Sequence, residues 1–445
     1  MNNDNNAAPP HSMAKIALMG LAGTSIEWYD FFLYGIGAAL VFPTLFFPPS
    51  LPPAIALLAS FSTFTVGFLA RPVGALVFGH VGDRVGRKSA LAIALVLMGT
   101  ATTLLACLPT YATAGPIAPV LLVLLRFAQG LAIGGQWGGA MLLVVENAPA
   151  HRRGFYGSFA QAGAPAGVVL ANLAFLAVRA VTPADAFLVW AWRLPFFLSV
   201  LLVGLGLYVH YRIEDTRAYR ELRRTQAPGA AIARAPILEA FRRHPKHIAL
   251  AAGSFLSTNT IFYILIAWCV SYATRADGLG VSPSLILTAV LIGSGLMTPA
   301  AMLTGAVSDR YGRRGIYMAG AALSALFAFA IFPLMETRTL LGMSAAVTCA
   351  LGFTSMMYGP QAALLGELFS TQVRYSCASL GYQIGAICGG GLAPLIATAI
   401  FTRTHSTFGI AVYLAVVSLI SLVSVALLAE TSRVDLQQSR AAPAP

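Results

Sequence analysis

A chain of 445 residues in which 58% are hydrophobic and only 10% charged is too apolar, and its apolar runs are too long, for a soluble enzyme. The net charge of +12 invites a nucleic-acid reading until the basic residues are placed; they gather in the polar segments between apolar runs, which makes the excess a topology signal and excludes a nucleic-acid footprint. The five cysteines, Cys107, Cys269, Cys349, Cys377 and Cys388, fall inside apolar runs with no CxxC or Cys/His metal spacing, so they read as small packing residues, with no disulfide framework and no metal centre expected.

Twelve apolar runs are predicted to cross a bilayer as helices, at about 16–43, 53–79, 89–109, 119–146, 155–178, 189–211, 247–272, 284–306, 316–335, 340–367, 375–400 and 408–429. Most exceed the roughly 20 residues that a span needs. The polar start MNNDNNAAPPHS has no basic region and the first run is too long for a signal peptide, so no cleavage is expected. That run holds an anomaly, IEWYDFFLYG (Ile26 to Gly35), in which Glu27 and Asp30 are the only charges between Ile16 and Pro43. An unpaired ionised group at such depth costs a few kcal/mol, so both acids must be paired, protonated or wet. Three apart, they are predicted to share one helical face with Tyr34 and to look into a protein cavity.

Further along, Arg71 lies within the second run and the polar stretch GHVGDRVGRK (Gly79 to Lys88) follows it. The fourth run carries Arg126, Gln129, Gln136 and Trp137 and ends on Glu146, with six residues between it and Arg153. Gln161 and Asn172 add polar groups to the fifth run, and Arg193 stands near the outer end of the sixth, where it can snorkel. The segment 212–246, with nine basic residues and a Pro/Gly/Ala-rich middle, then divides the spans six and six. In the second half GAVSDRYGRR (Gly305 to Arg314) repeats the first polar stretch 226 positions on, and Glu367 with Arg374 repeats the Glu146/Arg153 spacing 221 positions on. The chain therefore reads as a tail (1–15), a six-helix bundle (16–211), a linker (212–246), a second six-helix bundle (247–429) and a tail (430–445), an all-α membrane protein built by parallel duplication. With the N-terminus inside, cytoplasmic segments hold 21 of the 28 basic residues and external loops only four, Arg179, Arg275, Arg338 and Arg403. Both termini are thus expected in the cytoplasm.

The paired GxxxDRxGRK/R stretches, the paired E-x6-R motifs, RFAQG in the fourth span and the six-plus-six layout resemble the major facilitator superfamily. Within it, IEWYDFFLYG, FLARPVG, GGQWGGA, WRLPFF and GYQIGAICGGGLAP look like the metabolite:H+ symporter family, which includes shikimate, alpha-ketoglutarate, citrate and proline/betaine permeases. The resemblance runs from the first span to the last. It implies alternating access and a gating network of Asp83, Arg84, Arg87, Lys88, Glu146 and Arg153 in the first half and Asp309, Arg310, Arg313, Arg314, Glu367 and Arg374 in the second. The residues alone support the same latch: Asp83 and Asp309 are placed to cap the helix that follows each, and nearby arginines can reach Glu146 or Glu367.

Depth along the spans predicts that Glu27 pairs with Arg71 and Asp30 with Arg126. Counting Arg193, the spans carry three positive charges against two acids, which favours an anionic solute, and an arginine fork suits a carboxylate. No histidine lies mid-span, so a carboxylate must carry any coupled proton: Asp30 first, Glu27 second. A proton on Asp30 would release Arg126 for the solute. The remaining wall is read as Tyr34, Gln129, Gln136 and Trp137 in the first half and Asn259, Tyr263, Tyr358, Gln361, Tyr382 and Gln383 in the second. The expected activity is proton-coupled symport of a small organic anion, a shikimate-like mono- or dicarboxylate, by a monomer in a bacterial inner membrane, a setting suggested by 25 Arg against 3 Lys. No cofactor beyond the proton is implied, and the partners are the organic acid and the lipid bilayer. Rival readings are a proton/solute antiporter, weakened because QAGAPAG offers only part of a Gly-Pro step, and an osmolyte permease, weakened because no heptads follow the last span. No nucleophile, metal cluster or nucleotide loop marks an enzyme.

Overall fold

The computed structural model describes residues 13–85, 87–134, 141, 144–145, 148–201, 203–204, 245–369 and 374–432. In the first half α1 is Met13–Leu40, α2 Pro53–Val85, α3 Arg87–Ala106, α4 Ile117–Gly134 and α5 Arg153–Val181, while α6 is seen only at its start, Leu194–Phe197. In the second half α7 runs over Pro245–Thr274, α8 is Pro283–Tyr311, α9 Arg313–Glu336, α10 Leu340–Leu368, α11 Arg374–Thr404 and α12 Phe408–Ala426. Among the described residues there is no strand. Hydrocarbon cannot hydrogen-bond a backbone, so long apolar runs close every N–H and C=O within the helix. Nine of the described helices are long and apolar enough to span a bilayer, and Leu69, Leu76, Leu124, Leu296, Leu303 and Leu326 stand exposed on their outer surfaces, where lipid solvates them. Of the cysteines, Cys269 is buried, whereas Cys107, Cys349 and Cys388 are exposed rather than packed.

The packing pattern repeats with a shift of six helices. Helix α1 lies on α5 as α7 lies on α11; α2 lies on α4 as α8 lies on α10; α3 and α9 pack on α4 and α10. This is the two-bundle architecture that the duplicated motifs predict. The bundles meet along α5 with α8 and α10, along α2 with α11, and along α1 with α7. Helices α7 and α11 are each interrupted by a wider π-helical turn, Ile264–Trp268 and Ala386–Gly391, and these turns face α1 and α2. The Thr65 hydroxyl donates to the Gly391 carbonyl at 2.6 Å, so the irregular backbone of α11 is served from the other bundle.

The two polar stretches expected as loops are almost wholly helical. Helix α2 runs to Val85 and α3 resumes at Arg87; α8 runs to Tyr311 and α9 starts at Arg313. The second turn is made by Gly312 alone, at φ +95°, a region L side chains avoid. Helices α2 and α4 touch backbone to backbone, and a Cβ on Gly130 would lie 2.2 Å from the Gly67 carbonyl oxygen. Forcing that contact apart costs about 1–3 kcal/mol. Gly130→Ala is therefore expected to lower the detergent melting temperature by several degrees, whereas Gly352→Ala, with nothing within 4 Å, leaves it unchanged; equal melting of the two variants would contradict this packing.

Candidate functional site

The end that the sequence assigns to the cytoplasm is held shut around Asp309. Its two carboxylate oxygens accept from the backbone N–H groups of Gly154 and Phe155, both at 2.8 Å, in the first turn of α5. The expectation that Asp309 caps the helix after it is corrected: it caps a helix of the other bundle. Because α8 continues past it to Tyr311, the carboxylate projects sideways onto unsatisfied N–H groups at the positive end of α5. Helix α9 is capped instead by Glu430, which accepts from the N–H groups of Arg313 at 2.9 Å and Arg314 at 3.0 Å. Partial burial pushes the Glu430 pKa up, but the N–H groups of Arg313, Arg314 and Ser432 outweigh it and hold the carboxyl below its ordinary 4.5. A depressed acid supports the fold above that ordinary value and loses the contribution as pH falls through the lowered one.

Arg313 is the hub, 1% exposed. Its Nη1 donates to Asp309 at 2.6 Å, its Nη2 and Nε to Glu367 at 3.2 and 3.4 Å, and Thr431 donates to the same Glu367 at 2.8 Å. Buried Arg153 acts electrostatically on Glu367. Arg314 donates to the Ala426 carbonyl at 2.5 Å, while Arg310 is exposed and makes none of these bonds. The side chains of Asp83, Arg84, Arg87, Lys88, Glu146 and Arg374, like Gln136, Trp137 and most of the 212–246 linker, lie outside the described residues.

At mid-depth the face of α1 differs from the expected one. Phe31 and Tyr34 point toward α2 and α4, Glu27 lies in the field of Arg71, and Asp30, about 100° around the helix from Phe31, faces elsewhere. Both arginines are fully buried against rings. The Arg71 Cζ lies 4.3 Å from the Phe68 ring centre, 4.5 Å from Phe31 and 5.4 Å from Trp28; the Arg126 Cζ lies 4.1 Å from Phe31, 4.2 Å from Tyr34 and 4.7 Å from Phe64. Phe31 thus touches both guanidiniums. Among the described residues, no nitrogen of Arg71 makes a hydrogen bond of good geometry, though the Tyr263 and Tyr382 phenols stand within reach of it, and Arg126 uses only Nη1, donating to Gln129 Oε1 at 3.0 Å. Arg71 acts on Glu27 through its field without a hydrogen bond to it. Among the described residues no acid is hydrogen-bonded to Arg126, and the groups that act on it electrostatically are Arg71 and the Tyr34 and Tyr263 phenols. The predicted Asp30–Arg126 pair does not form.

Asp30 instead faces α3 and α6 in a fully buried position. Its Oδ1 accepts from the Ser199 hydroxyl at 2.5 Å, its Oδ2 has no partner among the described residues, and the Thr102 hydroxyl lies beside it. Thr102 accepts from Gln129 Nε2 at 2.7 Å and donates to the Met98 carbonyl at 2.9 Å. Neither Ser199 nor Thr102 was legible in the sequence, because hydroxyls in apolar spans are commonplace and usually bond their own helix.

A narrow cavity lies between the bundles. Six of its walls are rings, Trp28 and Phe32 from α1, Phe262 and Tyr263 from α7, Tyr358 from α10 and Tyr382 from α11, joined by Asn259 and Thr258. Of the predicted wall, Asn259, Tyr263, Tyr358 and Tyr382 line it, and Arg71 stands just behind Trp28, near the Tyr263 and Tyr382 phenols. Gln361 does not line it; it bonds Gln161 of the other bundle at 3.4 Å and the Tyr317 hydroxyl at 3.3 Å. Gln383 is buried with its Oε1 without a partner among the described residues, and Tyr34 donates to Thr63 at 2.6 Å, away from the cavity. Arg193 is partly exposed near the outer end of its span, where it donates to the Val189 and Leu108 carbonyls.

Two duplicated helical bundles closed around an aromatic cavity, with charges buried at its depth and a latch at one end, define a membrane transporter rather than an enzyme. A family model described as Major Facilitator Superfamily matches residues 31–376 and 272–444. The chain is 38% identical over 434 residues to an inner membrane metabolite transport protein of Escherichia coli (strain K12), covering 96% of this chain and 97% of that one. It is also 38% identical over 425 residues to the shikimate transporter of the same organism, covering 94% and 95%, and 32% identical over 426 residues to the proline/betaine transporter of Salmonella typhimurium, covering 93% and 83%. The chain belongs to the major facilitator superfamily and, within it, to the metabolite:H+ symporter family. A solved proton:xylose symporter bound to 6-bromo-6-deoxy-D-glucose shares the fold at TM-score 0.72 and 17% identity over 96% of this chain and 98% of that one.

Charge-assisted bonds of the kind Asp309 makes are worth about 1.5–3 kcal/mol each. Asp309→Asn is expected to loosen the latch and to raise the alkylation rate of a cysteine placed at fully buried Ser158 roughly thirtyfold, every 1.4 kcal/mol being a factor of ten; an unchanged rate would show that the latch does not depend on this carboxylate.

Proposed function

We propose that the protein is a proton-coupled symporter of a small organic anion, a shikimate-like mono- or dicarboxylate, working by alternating access in a bacterial inner membrane with both termini in the cytoplasm. The observation that carries this reading is the pair of fully buried guanidiniums, five of whose six nitrogens make no hydrogen bond of good geometry among the described residues. A buried cation whose N–H edges are poorly served is costly, and a carboxylate that offers two oxygens to those edges relieves that cost. Arg71, behind the aromatic cavity, and Arg126 are the anion-binding groups. Asp30 carries the proton and Glu27 is the second candidate. The Asp309–Arg313–Glu367 cluster, with Gly154 and Phe155, is the cytoplasmic gate. The protein acts as a monomer.

The osmolyte-permease reading draws on the proline/betaine relatives and on the rings, which suit an ammonium group. Two guanidiniums already occupy that aromatic cluster and repel a third cation, so the anion reading is preferred. One proton with a monoanion moves no net charge, so the pH gradient drives it at about 1.4 kcal/mol per unit. A second proton would add about 2.3 kcal/mol per 100 mV of membrane potential.

The test is uptake of labelled shikimate, alpha-ketoglutarate, citrate and betaine into energised membrane vesicles. An acid from this panel is expected to accumulate, to cease doing so with a protonophore, and to lose at least tenfold in uptake on Arg71→Gln or Arg126→Gln; Asp30→Asn is expected to abolish accumulation while exchange persists. Accumulation of betaine but no acid, or uptake indifferent to the protonophore, would overturn the reading.

A further inference from the structure

The proton site and the anion site, on this reading, lie on different faces of α1, and Asp30 does not touch Arg126. They are nevertheless joined by side chains from α3 and α4. Arg126 Nη1–H donates to Gln129 Oε1, and Gln129 Nε2–H donates to Thr102 Oγ1, which lies beside Asp30. Every donor points from the cation toward the acid. The chain stops short of a full bond: Thr102 has one hydrogen, which it gives to the Met98 carbonyl while standing within hydrogen-bonding reach of Asp30, whose Oδ2 has no partner among the described residues.

We propose that Thr102 and Gln129 are positioning residues that transmit the protonation of Asp30 to Arg126, through a Thr102 hydroxyl that turns between Met98 and Asp30. The proposal rests on Asp30 being the proton carrier. With a proton on Oδ2 the acid is neutral, Thr102 stays on Met98, and Arg126 keeps its remaining N–H edges for the solute. When the Oδ2–H bond breaks, the proton leaves to water and the new oxyanion draws the Thr102 O–H from Met98. The three hydrogen bonds then run unbroken from guanidinium to carboxylate, each polarising the next, and Arg126 is compensated by a charge it does not touch. Its hold on a solute carboxylate weakens accordingly. No proton travels along the chain; an amide passes only its dipole.

The other groups around the acid do not make this connection. Ser199, just past the described start of α6, bonds the other carboxylate oxygen, Tyr29 of α1 donates to the Pro195 carbonyl at 2.8 Å, Glu27, one turn earlier on α1, lies in the field of Arg71, and Gln129 has both ends engaged in the chain itself. Gln129 was expected as a solute contact. The structure assigns it to the link.

The experiment compares Thr102→Val, which removes the switching hydrogen at constant shape, with Thr102→Ser, which keeps it. In proteoliposomes with labelled shikimate, Thr102→Val is expected to cut accumulation driven by a pH gradient about tenfold more than it cuts exchange, the size of one charge-assisted bond, and Thr102→Ser to restore it. A second measurement needs no solute: the infrared C=O band of a protonated carboxyl in the purified protein, assigned by its loss in Asp30→Asn and titrated with pH. Its midpoint is expected to move by about one unit in Thr102→Val and to return in Thr102→Ser. A role in packing alone would change the melting temperature and leave that midpoint in place. If Asp30→Asn removes the band while Thr102→Val leaves both midpoint and coupling ratio unaltered, the relay is wrong and the proton site stands. If no band belongs to Asp30, the proton assignment itself falls.

Discussion

Two guanidinium groups enclosed among aromatic rings, with no acid hydrogen-bonded to either among the described residues, are the constraint on which this protein turns. Stripping a cation of water costs several kcal/mol even after relaxation, and each ring face returns about 0.5–2 kcal/mol. Phe31, Phe64, Phe68, Trp28 and Tyr34 therefore support the two charges without satisfying them. Rings take the flat faces of a guanidinium and leave its N–H edges unserved, so the same packing that makes the empty closed state tolerable also holds two forks in a fixed orientation. Phe31 is the shared support, and its place on α1 explains why Asp30, one residue earlier, cannot occupy the same face.

The latch at the other end uses groups of a different kind. Backbone N–H groups at a helix start have no partner within the helix, and Asp309 supplies one from the opposite bundle. Where this end meets water, those N–H groups and the carboxylate can each be hydrated on separation, so the latch can be firm and still reversible. At mid-depth the charged groups are buried in the protein, where a change in the charges themselves weighs far more than at a wet surface. Thus the bonds at one end can be exchanged for bonds to water, while those at the centre are governed by buried charge. The wide turns in α7 and α11, packed on α1 and α2, place irregular backbone where the bundles must move against each other.

The internal repeat explains the division of labour. Both bundles follow one packing plan, yet charge at mid-span is confined to the first, in Glu27, Asp30, Arg71 and Arg126, while the second contributes Asn259, Tyr263, Tyr358 and Tyr382 to the cavity. Duplication supplied a matched pair of scaffolds. Substitution at the facing positions then made one wall electrostatic and the other a set of rings and hydroxyls.

The spans, the duplicated motifs and the anomaly of two acids in the first crossing could be read from the chain alone, because hydrophobic length, repeated spacing and misplaced charge are properties of contiguous residues. The identity of the ion pairs could not. Asp30 and Phe31 differ by one step of sequence and about 100° of rotation, and only the packing of α2, α3, α4 and α6 around α1 decides which of them meets Arg126. Likewise Asp309 looks in sequence like a cap for the helix it precedes, but the unbroken run of α8 carries it to α5, and Thr102 and Ser199 acquire meaning only from the carboxyl that tertiary packing sets between them. Contacts between residues far apart in the chain depend on how helices are rotated and seated, and that is fixed by the whole core at once.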